Sequence, residues 1–370
     1  MQIKSLSLRD FRNHQDSQFA FTPGVTAIIG RNGRGKTNIV EAVNYFATLG
    51  SHRVSQDTPL IRWGCHEAQV MATVQKHDRQ AQVALTLKSS GSNVVTLNGN
   101  KLTRPRDILG LVHTVIFSPE DLELVRSQPA ARRRYIDDFC TQLSPKFSSI
   151  RLDYERTLKQ RNSLLRSQGR RTMSESAQQT LHAWDEQLVQ HGSALVYHRL
   201  NALEKLQGPI DEHGKMLSGD TEPLSARYAS NWLNTLECDL SNIEENLRQG
   251  LAQKYREELE RGVTLVGPHR DDIELTLSGM PAKEYASHGQ SWSVALAMRL
   301  ATFTVLRQHD DDPILILDDV FAELDQRRRS RLVSAVDGVE QVLITAAVQE
   351  DVPSELQSSQ LLLPEEESRG

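Results

Sequence analysis

The chain has 370 residues, of which 38% are hydrophobic and 25% charged, and its net charge is −5. This composition is typical of a globular protein with two or three domains, and no apolar run is long enough to span a membrane. The three cysteines, Cys65, Cys140 and Cys238, form no C-x-x-C pair, which argues against a zinc site or a redox pair. The N-terminal segment lacks the apolar core of a signal peptide, so we expect a cytoplasmic protein.

The first part of the chain predicts strands that lead into a glycine-rich loop. Residues 1–24 alternate in part between apolar and polar side chains, which indicates two strands, and residues 25–29 form a short apolar run typical of a buried strand. The sequence GRNGRGKT at 30–37, here called the phosphate loop, then fits G-x-x-x-x-G-K-[ST] at every fixed position. A helical pattern follows from Asn38. Strand, glycine loop and helix are the context that this motif requires, which argues against a chance match.

The residue types of the phosphate loop predict that it binds a nucleoside triphosphate. Glycines let backbone N–H groups approach an oligophosphate, and the start of the helix adds the positive end of its dipole. We expect the ammonium of Lys36 on the β- and γ-phosphates and the hydroxyl of Thr37 on Mg²⁺. The expected ATP contacts in this region are Gly30, Arg31, Asn32, Gly33, Arg34, Gly35, Lys36, Thr37 and Asn38.

The rest of the chain predicts a sheet, a helical segment and a second set of strands. Residues 68–101 indicate antiparallel strands with a hairpin at Asn98-Gly99. Two helices at 144–166 and after 176 are expected to form a helical hairpin, followed by a loop at 208–223. A further helix is expected to end at Arg261, with Gly262 as its stop. The later strands are predicted at 263–267, 273–277, 313–318 and 341–347.

These elements predict one α/β domain that is interrupted by a helical lobe. The expected divisions are an N-terminal part of the α/β domain at 1–125, a helical lobe at 126–261, a C-terminal part of the α/β domain at 262–352 and a disordered tail at 353–370.

A second half of the nucleotide site is predicted in the C-terminal part. Residues 314–317 form an unbroken apolar run, as a central parallel strand requires, and Asp318 and Asp319 follow it. An acid at this position holds Mg²⁺ in P-loop ATPases, so we assign that role to Asp318. We expect Asp319 to orient or deprotonate the attacking water. Ser287, Gly289 and Gln290 precede a predicted helix and indicate a second anion site at its start.

The combination of these motifs resembles a known class of ATPase. A phosphate loop, an S-x-G-Q segment and an apolar strand ending in two acids are similar to the ATP-binding-cassette (ABC) ATPases of the SMC branch. Within that branch, blocks that span nearly the whole chain resemble the RecF family of bacterial recombination mediators. These blocks are KSLSLRDFRNH at 4–14, GRNGRGKTN at 30–38, FSPEDLELV at 117–125, ARRRYID at 131–137, GPHRDD at 267–272, SHGQ at 287–290 and LDDVFAELD at 317–325.

The resemblance implies a fold, a mechanism and a set of partners. The fold would be an ABC-type ATPase head, with a mixed sheet, an antiparallel β-subdomain and an inserted α-helical lobe. Ser287, Gly289 and Gln290 of one chain would contact the γ-phosphate on Lys36 of a second chain, so that ATP closes a homodimer and hydrolysis opens it. Asp stands at 319 where other members of the class have Glu, which implies slow hydrolysis.

The resemblance also concerns Thr345, Arg12 and Asn13, and it implies partners. Thr345 lies near the position of a γ-phosphate sensor, but Ala346 and Ala347 follow it and put such a sensor in doubt. Arg12 and Asn13 are either nucleotide contacts or exposed loop residues. The implied partners are duplex DNA beside single-stranded gaps, with RecR and, functionally, RecO and RecA. The implied roles are promotion of RecA loading and of the SOS response.

A basic segment suggests where DNA would bind. Residues 126–171 contain twelve Lys and Arg and four Asp and Glu, a local balance of +8 in an acidic chain. Few aromatic residues lie there, so we expect contacts with the DNA backbone rather than base stacking. A solvated helix face is the alternative. The expected DNA contacts are Arg132, Arg133, Arg134, Arg166, Arg170 and Arg171.

Two other functions share the ATP motifs. One is the ATPase subunit of an ABC transporter, which is disfavoured because 251 positions separate Lys36 from Ser287. The other is a structural SMC-like clamp that acts on a protein partner, against which only the basic segment argues.

Overall fold

The computed structural model describes residues 1–168, 173–218, 222–309, 312–356 and 358–363. The strands are β1 Gln2–Phe11, β2 His14–Ala20, β3 Gly24–Ile29, β4 Glu67–Lys76, β5 Arg79–Lys88, β6 Val94–Leu97, β7 Asn100–Lys101, β8 Thr114–Phe117, β9 Leu224–Ala229, β10 Asp272–Leu277, β11 Met280–Pro281, β12 Ile314–Asp318, β13 Gln341–Ala346 and β14 Ser358–Leu362. The helices are α1 Lys36–Thr48, α2 Leu122–Arg126, α3 Pro129–Leu143, α4 Phe147–Gln168, α5 Glu175–Ser218, α6 Leu240–Arg261, α7 Ala282–Tyr285, α8 His288–His309, α9 Val320–Glu323 and α10 Gln326–Ala335.

The chain divides into two compact units. The first comprises Met1–Val125, Pro209–Pro223 and Ser287–Gly370, and the second comprises Arg126–Gly208 and Leu224–Ala286. No helix within the described ranges is both long and apolar enough to cross a membrane.

The first unit contains two sheets. One is a five-stranded parallel sheet in the order β14-β3-β13-β12-β8, and the other is a six-stranded antiparallel sheet in the order β2-β1-β4-β5-β6-β7. Apolar residues of both sheets and of α1 share one core, which includes Ile3, Ile28, Val43 and Val70. The strands β12 and β13 are buried along their whole length, as their apolar sequences require. The predicted hairpin at Asn98-Gly99 is confirmed, since both residues have positive φ between β6 and β7.

The second unit packs long helices with a small antiparallel sheet of the order β11-β10-β9. Its interior contains buried ion pairs as well as apolar residues. The fully buried Arg161 pairs with Asp185 at 2.6 Å and with Glu258 at 2.7 Å, and it donates to the Thr264 hydroxyl at 2.8 Å. The buried Arg199 makes two hydrogen bonds to the carboxylate of Asp137. These pairs offset the cost of removing the charges from water.

The division into units places two segments differently from the sequence-based expectation. Residues 209–223 belong to the first unit rather than to the helical lobe. Residues 262–286 belong to the second unit rather than to the C-terminal part of the α/β domain. The reason for the second difference is strand pairing: β10 pairs with β9 along its whole length, from Asp272↔Ala229 to Leu277↔Leu224.

Three secondary-structure predictions are wrong. The expected loop at 208–223 is helical as far as Ser218, because α5 continues through Pro209, with Leu206 and Ile210 fully buried on either side. The expected strand at 263–267 is a turn segment, in which Thr264 O accepts from Arg270 rather than from a neighbouring strand. Part of the expected disordered tail is ordered, since β14 pairs with β3. Residues 357 and 364–370 of that tail lie outside the described residues.

Candidate nucleotide-binding site

The parallel sheet brings the sequence motifs to one edge. The strand β13 lies between β3 and β12 and pairs with both in parallel, so the carboxyl ends of the three strands are adjacent. The phosphate loop follows β3, Asp318 ends β12 and Thr345 is near the end of β13. Ligands of open α/β sheets bind at this edge, outside the carboxyl ends of the strands.

The phosphate loop has the backbone that its glycines allow. Gly35 has φ 90° and stands immediately before α1, where a Cβ atom would lie 2.5 Å from the Asn13 Oδ1 and 2.6 Å from the His14 Nε2. Position 35 therefore requires glycine for both conformation and space. The ammonium of Lys36 is buried and donates to the Gly30 carbonyl at 2.8 Å and to the Asn32 Oδ1 at 3.2 Å. The ammonium of Lys36 is thus held by two other residues of the phosphate loop.

The turn after β1 supports the phosphate loop. The Asn13 amide donates to the Gly33 carbonyl at 3.4 Å and accepts from the Asn38 amide at 2.7 Å. The His14 Nε2 lies 3.2 Å from the Gly35 carbonyl, which can only accept, so Nε2 carries the proton. Burial lowers the pKa of His14, so the ring is neutral and its Nδ1 accepts from the Ser17 hydroxyl at 3.1 Å.

Arg12 is engaged away from the phosphate loop. Its guanidinium makes two hydrogen bonds to the buried carboxylate of Glu41, at 2.8 and 2.6 Å, and a third to the Pro59 carbonyl at 3.0 Å. Of the two residues that the resemblance singled out, Asn13 therefore contacts the loop directly, whereas Arg12 fixes the surrounding chain.

Asp318 lies at the centre of a hydroxyl network. Its Oδ1 accepts from the Thr37 hydroxyl at 3.1 Å and from the Thr345 hydroxyl at 2.6 Å. The Thr345 oxygen in turn accepts from the backbone N–H of Asp319 at 2.9 Å. The structure thus brings together Thr37 and Asp318, which are 281 positions apart, and the Thr345 hydroxyl links the side chain of Asp318 to the backbone of Asp319.

The environment of Asp318 favours a cation. Burial raises the pKa of Asp318 from 3.8 to about 6, and the neighbouring charge of Asp319 adds to this, although the Thr345 and Thr37 hydroxyls oppose it. A raised pKa means that the negative charge of the buried carboxylate is incompletely compensated. A divalent cation beside Asp318 and Thr37 would supply that compensation.

The donor set fits magnesium held together with a nucleotide better than a metal held by protein alone. Within the described ranges, no group of three or more His, Cys, Asp and Glu side chains is arranged to hold a metal ion. Magnesium is usually bound by one or two carboxylates together with phosphate oxygens and water. One carboxylate, at Asp318, and one hydroxyl, at Thr37, fit this pattern if a triphosphate supplies the remaining ligands.

A cleft opens beside the phosphate loop. Its volume is about 500 Å³, and Asn13, Asp16, Phe19, Arg31 and Asn32 are among the residues that line it. This volume is within the range of small-molecule sites. The cleft borders the exposed side of the loop and is large enough for the part of a nucleotide that lies beyond its phosphates.

The S-x-G-Q residues form the start of α8. The Ser287 Oγ accepts from the Gln290 N–H at 3.2 Å, and the Gln290 Oε1 accepts from the Ser287 N–H at 2.9 Å. This reciprocal pair is a capping box, which satisfies two donors at the helix start. The Gln290 amide also donates to Glu222. Within the described part of the chain, the hydrogen bonds of Ser287 and Gln290 do not reach the phosphate loop.

The basic segment is less available than its composition suggests. Arg132 is 6% exposed and makes two 2.8 Å hydrogen bonds to the carboxylate of Asp272, so its guanidinium is not free for a DNA phosphate. Arg133 is half-buried and donates to the Asp271 carbonyl at 2.7 Å. Arg134 and Arg166 are exposed. The other two candidates, Arg170 and Arg171, lie outside the described residues.

Sequence reasoning missed the supporting residues of the site. His14 was not identified, and Thr345 was considered only as a sensor, because His14 contacts Gly35, 21 positions away, and Thr345 contacts Asp318, 27 positions away. A polar residue near the end of an apolar strand was the available signal for Thr345.

The parallel sheet, the phosphate loop, the Asp318–Thr37 pair and the separate second unit define a P-loop ATPase head of the ABC and SMC type. A comparison with protein families agrees: residues 2–362 match the model described as "RecF/RecN/SMC N terminal domain". The SMC head bound to the winged-helix domain of ScpA superposes with a TM-score of 0.50 at 18% identity, covering 94% of this chain and 90% of that one, which shows the shared fold.

The relatives identify a narrower family than the fold does. The "DNA replication and repair protein RecF" of Streptomyces avermitilis is 46% identical over 374 residues, covering 99% of this chain and 98% of its own. The protein of the same name from Frankia alni is 45% identical and covers 96% of both chains. The structure titled "recombination mediator protein RecF-ATP in RecFOR pathway" has a TM-score of 0.87 at 31% identity, covering 95% of this chain and 93% of that one. The chain belongs to the RecF family.

Proposed function

We propose that the chain is an ATP-dependent DNA-binding protein of recombinational repair and replication. In this proposal it binds ATP with Mg²⁺, closes as a homodimer on duplex DNA that borders single-stranded gaps, and promotes RecA loading and the SOS response. The observation that carries the proposal is the union of Thr37, Asp318 and Thr345 beside the phosphate loop, in a chain of the RecF family.

The chemistry of the ATP site follows from the residues that line it. Lys36 would exchange its contacts with Gly30 and Asn32 for phosphate oxygens, while backbone N–H groups of the loop bind the same phosphates. Thr37 and Asp318 would hold Mg²⁺, which neutralises charge on the phosphates. Asp319 stands next to the cluster and would orient or deprotonate the attacking water. Its shorter side chain, compared with the Glu of related ATPases, would slow the hydrolysis step.

The dimer is proposed because Ser287, Gly289 and Gln290, here called the signature residues, make no hydrogen bond to the phosphate loop within the described ranges. Ser287 is exposed, and the first turn of a helix presents backbone N–H groups that suit an anion. A second chain would supply that anion as the γ-phosphate of its bound ATP. Loss of this phosphate by hydrolysis would remove the bridge and open the dimer.

DNA binding is proposed for the exposed cations of the second unit. Arg134 and Arg166 remain candidates for phosphate contacts, and contacts of this kind are independent of sequence and weaken as salt is added. RecR and RecO are proposed functional partners, since a related structure is of RecF in the RecFOR pathway. RecA is proposed as a further functional partner from the resemblance to recombination mediators.

Sedimentation velocity with and without Mg²⁺ and ATP tests the proposal. We expect a monomer without nucleotide, a dimer with ATP, and tighter association when gapped duplex DNA is present. Lys36→Arg and Asp318→Asn should remain monomeric under all conditions. A wild-type chain that stays monomeric with ATP and DNA would contradict the proposal.

Gel shifts at two salt concentrations test the DNA surface. Replacing Arg134 and Arg166 together by Ala should weaken binding to gapped duplex at low salt and reduce its salt dependence. Lys205→Ala, which removes another exposed cation of the second unit, is the matched control and should leave binding unchanged. Equal affinity of the double variant and the wild type would show that DNA binds elsewhere.

A further inference from the structure

The arginine at position 328 lies against the signature glycine. A Cβ atom built on Gly289 would be 3.0 Å from the Nη2 of Arg328 and 3.3 Å from its Nη1. Gly289 lies in the first turn of α8, and Arg328 lies in the first turn of α10. Glycine at 289 therefore makes room for a guanidinium that crosses the start of the signature helix.

The guanidinium is fixed in this position by Asp325 and Ser293. The backbone N–H of Arg328 donates to the Asp325 Oδ1 at 2.9 Å, and the Nη1 of its side chain pairs with the other oxygen of the same carboxylate. The Nε donates to the Ser293 Oγ at 2.9 Å, and the Ser293 hydroxyl donates to the Gly289 carbonyl at 3.3 Å. Ser293 thus links the arginine to the glycine that it covers.

One edge of this guanidinium has no acceptor. Within the described residues, the Nη2 of Arg328 makes no hydrogen bond, although the side chain is only 23% exposed. The same edge is the part of the arginine nearest to Gly289, at the helix start where Ser287 is exposed. Two N–H donors of a fixed cation therefore lie at the helix start, where helix geometry already favours an anion.

We propose that Arg328 is a further residue of the shared ATP site: its Nη2 donates to the terminal phosphate of the ATP that is bound on the phosphate loop of a second copy of the chain. This inference rests on the ATP-closed dimer proposed above and adds a cation to a surface for which only Ser287, Gly289 and Gln290 were expected. A guanidinium binds phosphate oxygens with directed, charge-assisted hydrogen bonds, which suits a contact that must vanish on hydrolysis.

The proposed contact is compatible with the pairing of Arg328 and Asp325. The carboxylate of Asp325 is 54% exposed and compensates the charge of the guanidinium in the free chain. When the dimer closes, Nη2 reaches the phosphate while Nη1 keeps Asp325, because the two groups use different edges of the same planar fork.

The first test separates ATP binding from dimerisation. Arg328→Ala should bind a fluorescent ATP analogue as a monomer with the affinity of the wild type, but its ATP-dependent dimerisation should be weaker by about tenfold or more. Arg327→Ala removes the neighbouring exposed arginine and is the matched control, which should dimerise like the wild type. If Arg328→Ala is unstable in thermal unfolding, Arg328→Lys retains a cation for Asp325 and lacks Nη2, and the same comparison applies.

The second test asks which subunit provides the arginine. Arg328→Ala and Lys36→Ala homodimers each have two defective sites, whereas a mixed dimer has one site that combines an intact phosphate loop with an intact Arg328. Mixing the two variants should therefore restore ATP-dependent dimerisation and ATPase activity to a fraction of the wild-type level. If Arg328 acted within its own subunit, the mixed dimer would have no intact site and mixing would restore nothing.

The outcomes distinguish this inference from the function on which it rests. A wild-type chain that does not dimerise with ATP overturns the proposed function. A wild-type chain that dimerises, together with an Arg328→Ala variant that dimerises equally well, overturns the role of Arg328 alone. Weakened ATP binding by the Arg328→Ala monomer would overturn the assignment to the second subunit.

Discussion

Replacing Asp318 by Asn should stabilise the nucleotide-free protein while removing its response to Mg²⁺ and ATP. The carboxylate is 2% exposed, and burial raises its pKa from 3.8 to about 6. Asn has the same shape, and its Oδ1 can still accept from Thr37 and Thr345. The substitution therefore removes a buried charge with little change in packing, and it also removes the charge that Mg²⁺ requires.

The sign and size of the effect follow from the shift in pKa. Between the two pKa values the folded state binds a proton that the unfolded state has lost, so the free energy of unfolding falls as pH rises from about 4 to about 6. A shift of roughly two units corresponds to about 3 kcal/mol at pH values above this window. Asp318→Asn lacks this dependence, so its advantage should grow from pH 4 to pH 6 and then remain constant.

Urea unfolding of both proteins, without nucleotide or divalent ions, measures this difference. At pH 8 the variant should be more stable than the wild type by up to about 3 kcal/mol. Addition of Mg²⁺ and ATP should stabilise only the wild type, which serves as the internal control. A variant that is less stable at pH 8, or a difference that does not change between pH 4 and pH 8, would refute the reasoning.

Two further predictions concern the buried ion pairs and the phosphate loop. Arg161→Ala should lower the free energy of unfolding by about 3–5 kcal/mol in urea, because it leaves the buried carboxylate of Glu258 and the partly exposed carboxylate of Asp185 without their cation. The exposed Arg156→Ala is its control, with an expected change within about 0.5 kcal/mol; equal effects would contradict the prediction. Gly35→Ala should weaken ATP binding in a titration more than Gly33→Ala, because both have positive φ but only position 35 lacks space for a Cβ. Equal losses would show that space at position 35 is unimportant.

Local signals in the sequence were enough to predict several elements correctly. The phosphate loop, the apolar strand that ends in Asp318 and the stop of a helix at Gly262 all depend on residues within a few positions of each other. Glycine conformations and strand burial are local consequences of residue type, so they can be predicted from a short window of sequence. The resemblance to a family rested on the same short blocks.

Contacts between distant parts of the chain decided the rest. The helix α5 continues through Pro209 because tertiary packing buries Leu206 and Ile210, which outweighs the local preference for a break. Part of the basic segment is buried because Arg132 pairs with Asp272, which is 140 positions away in the chain. In the same way, β10 belongs to the second unit because it pairs with β9.

The sequence by itself therefore determined that the chain has a phosphate loop, an apolar strand that ends in two acids, and the S-x-G-Q residues at a helix start. Only the tertiary structure decided that Thr345 orients Asp318, and that Arg328 lies across Gly289. The physical reason is the distance along the chain over which each kind of interaction acts. Backbone conformation and hydrophobic periodicity are set by neighbouring residues, whereas the partner of a buried or directed polar group is whichever residue the completed fold brings within about 3 Å.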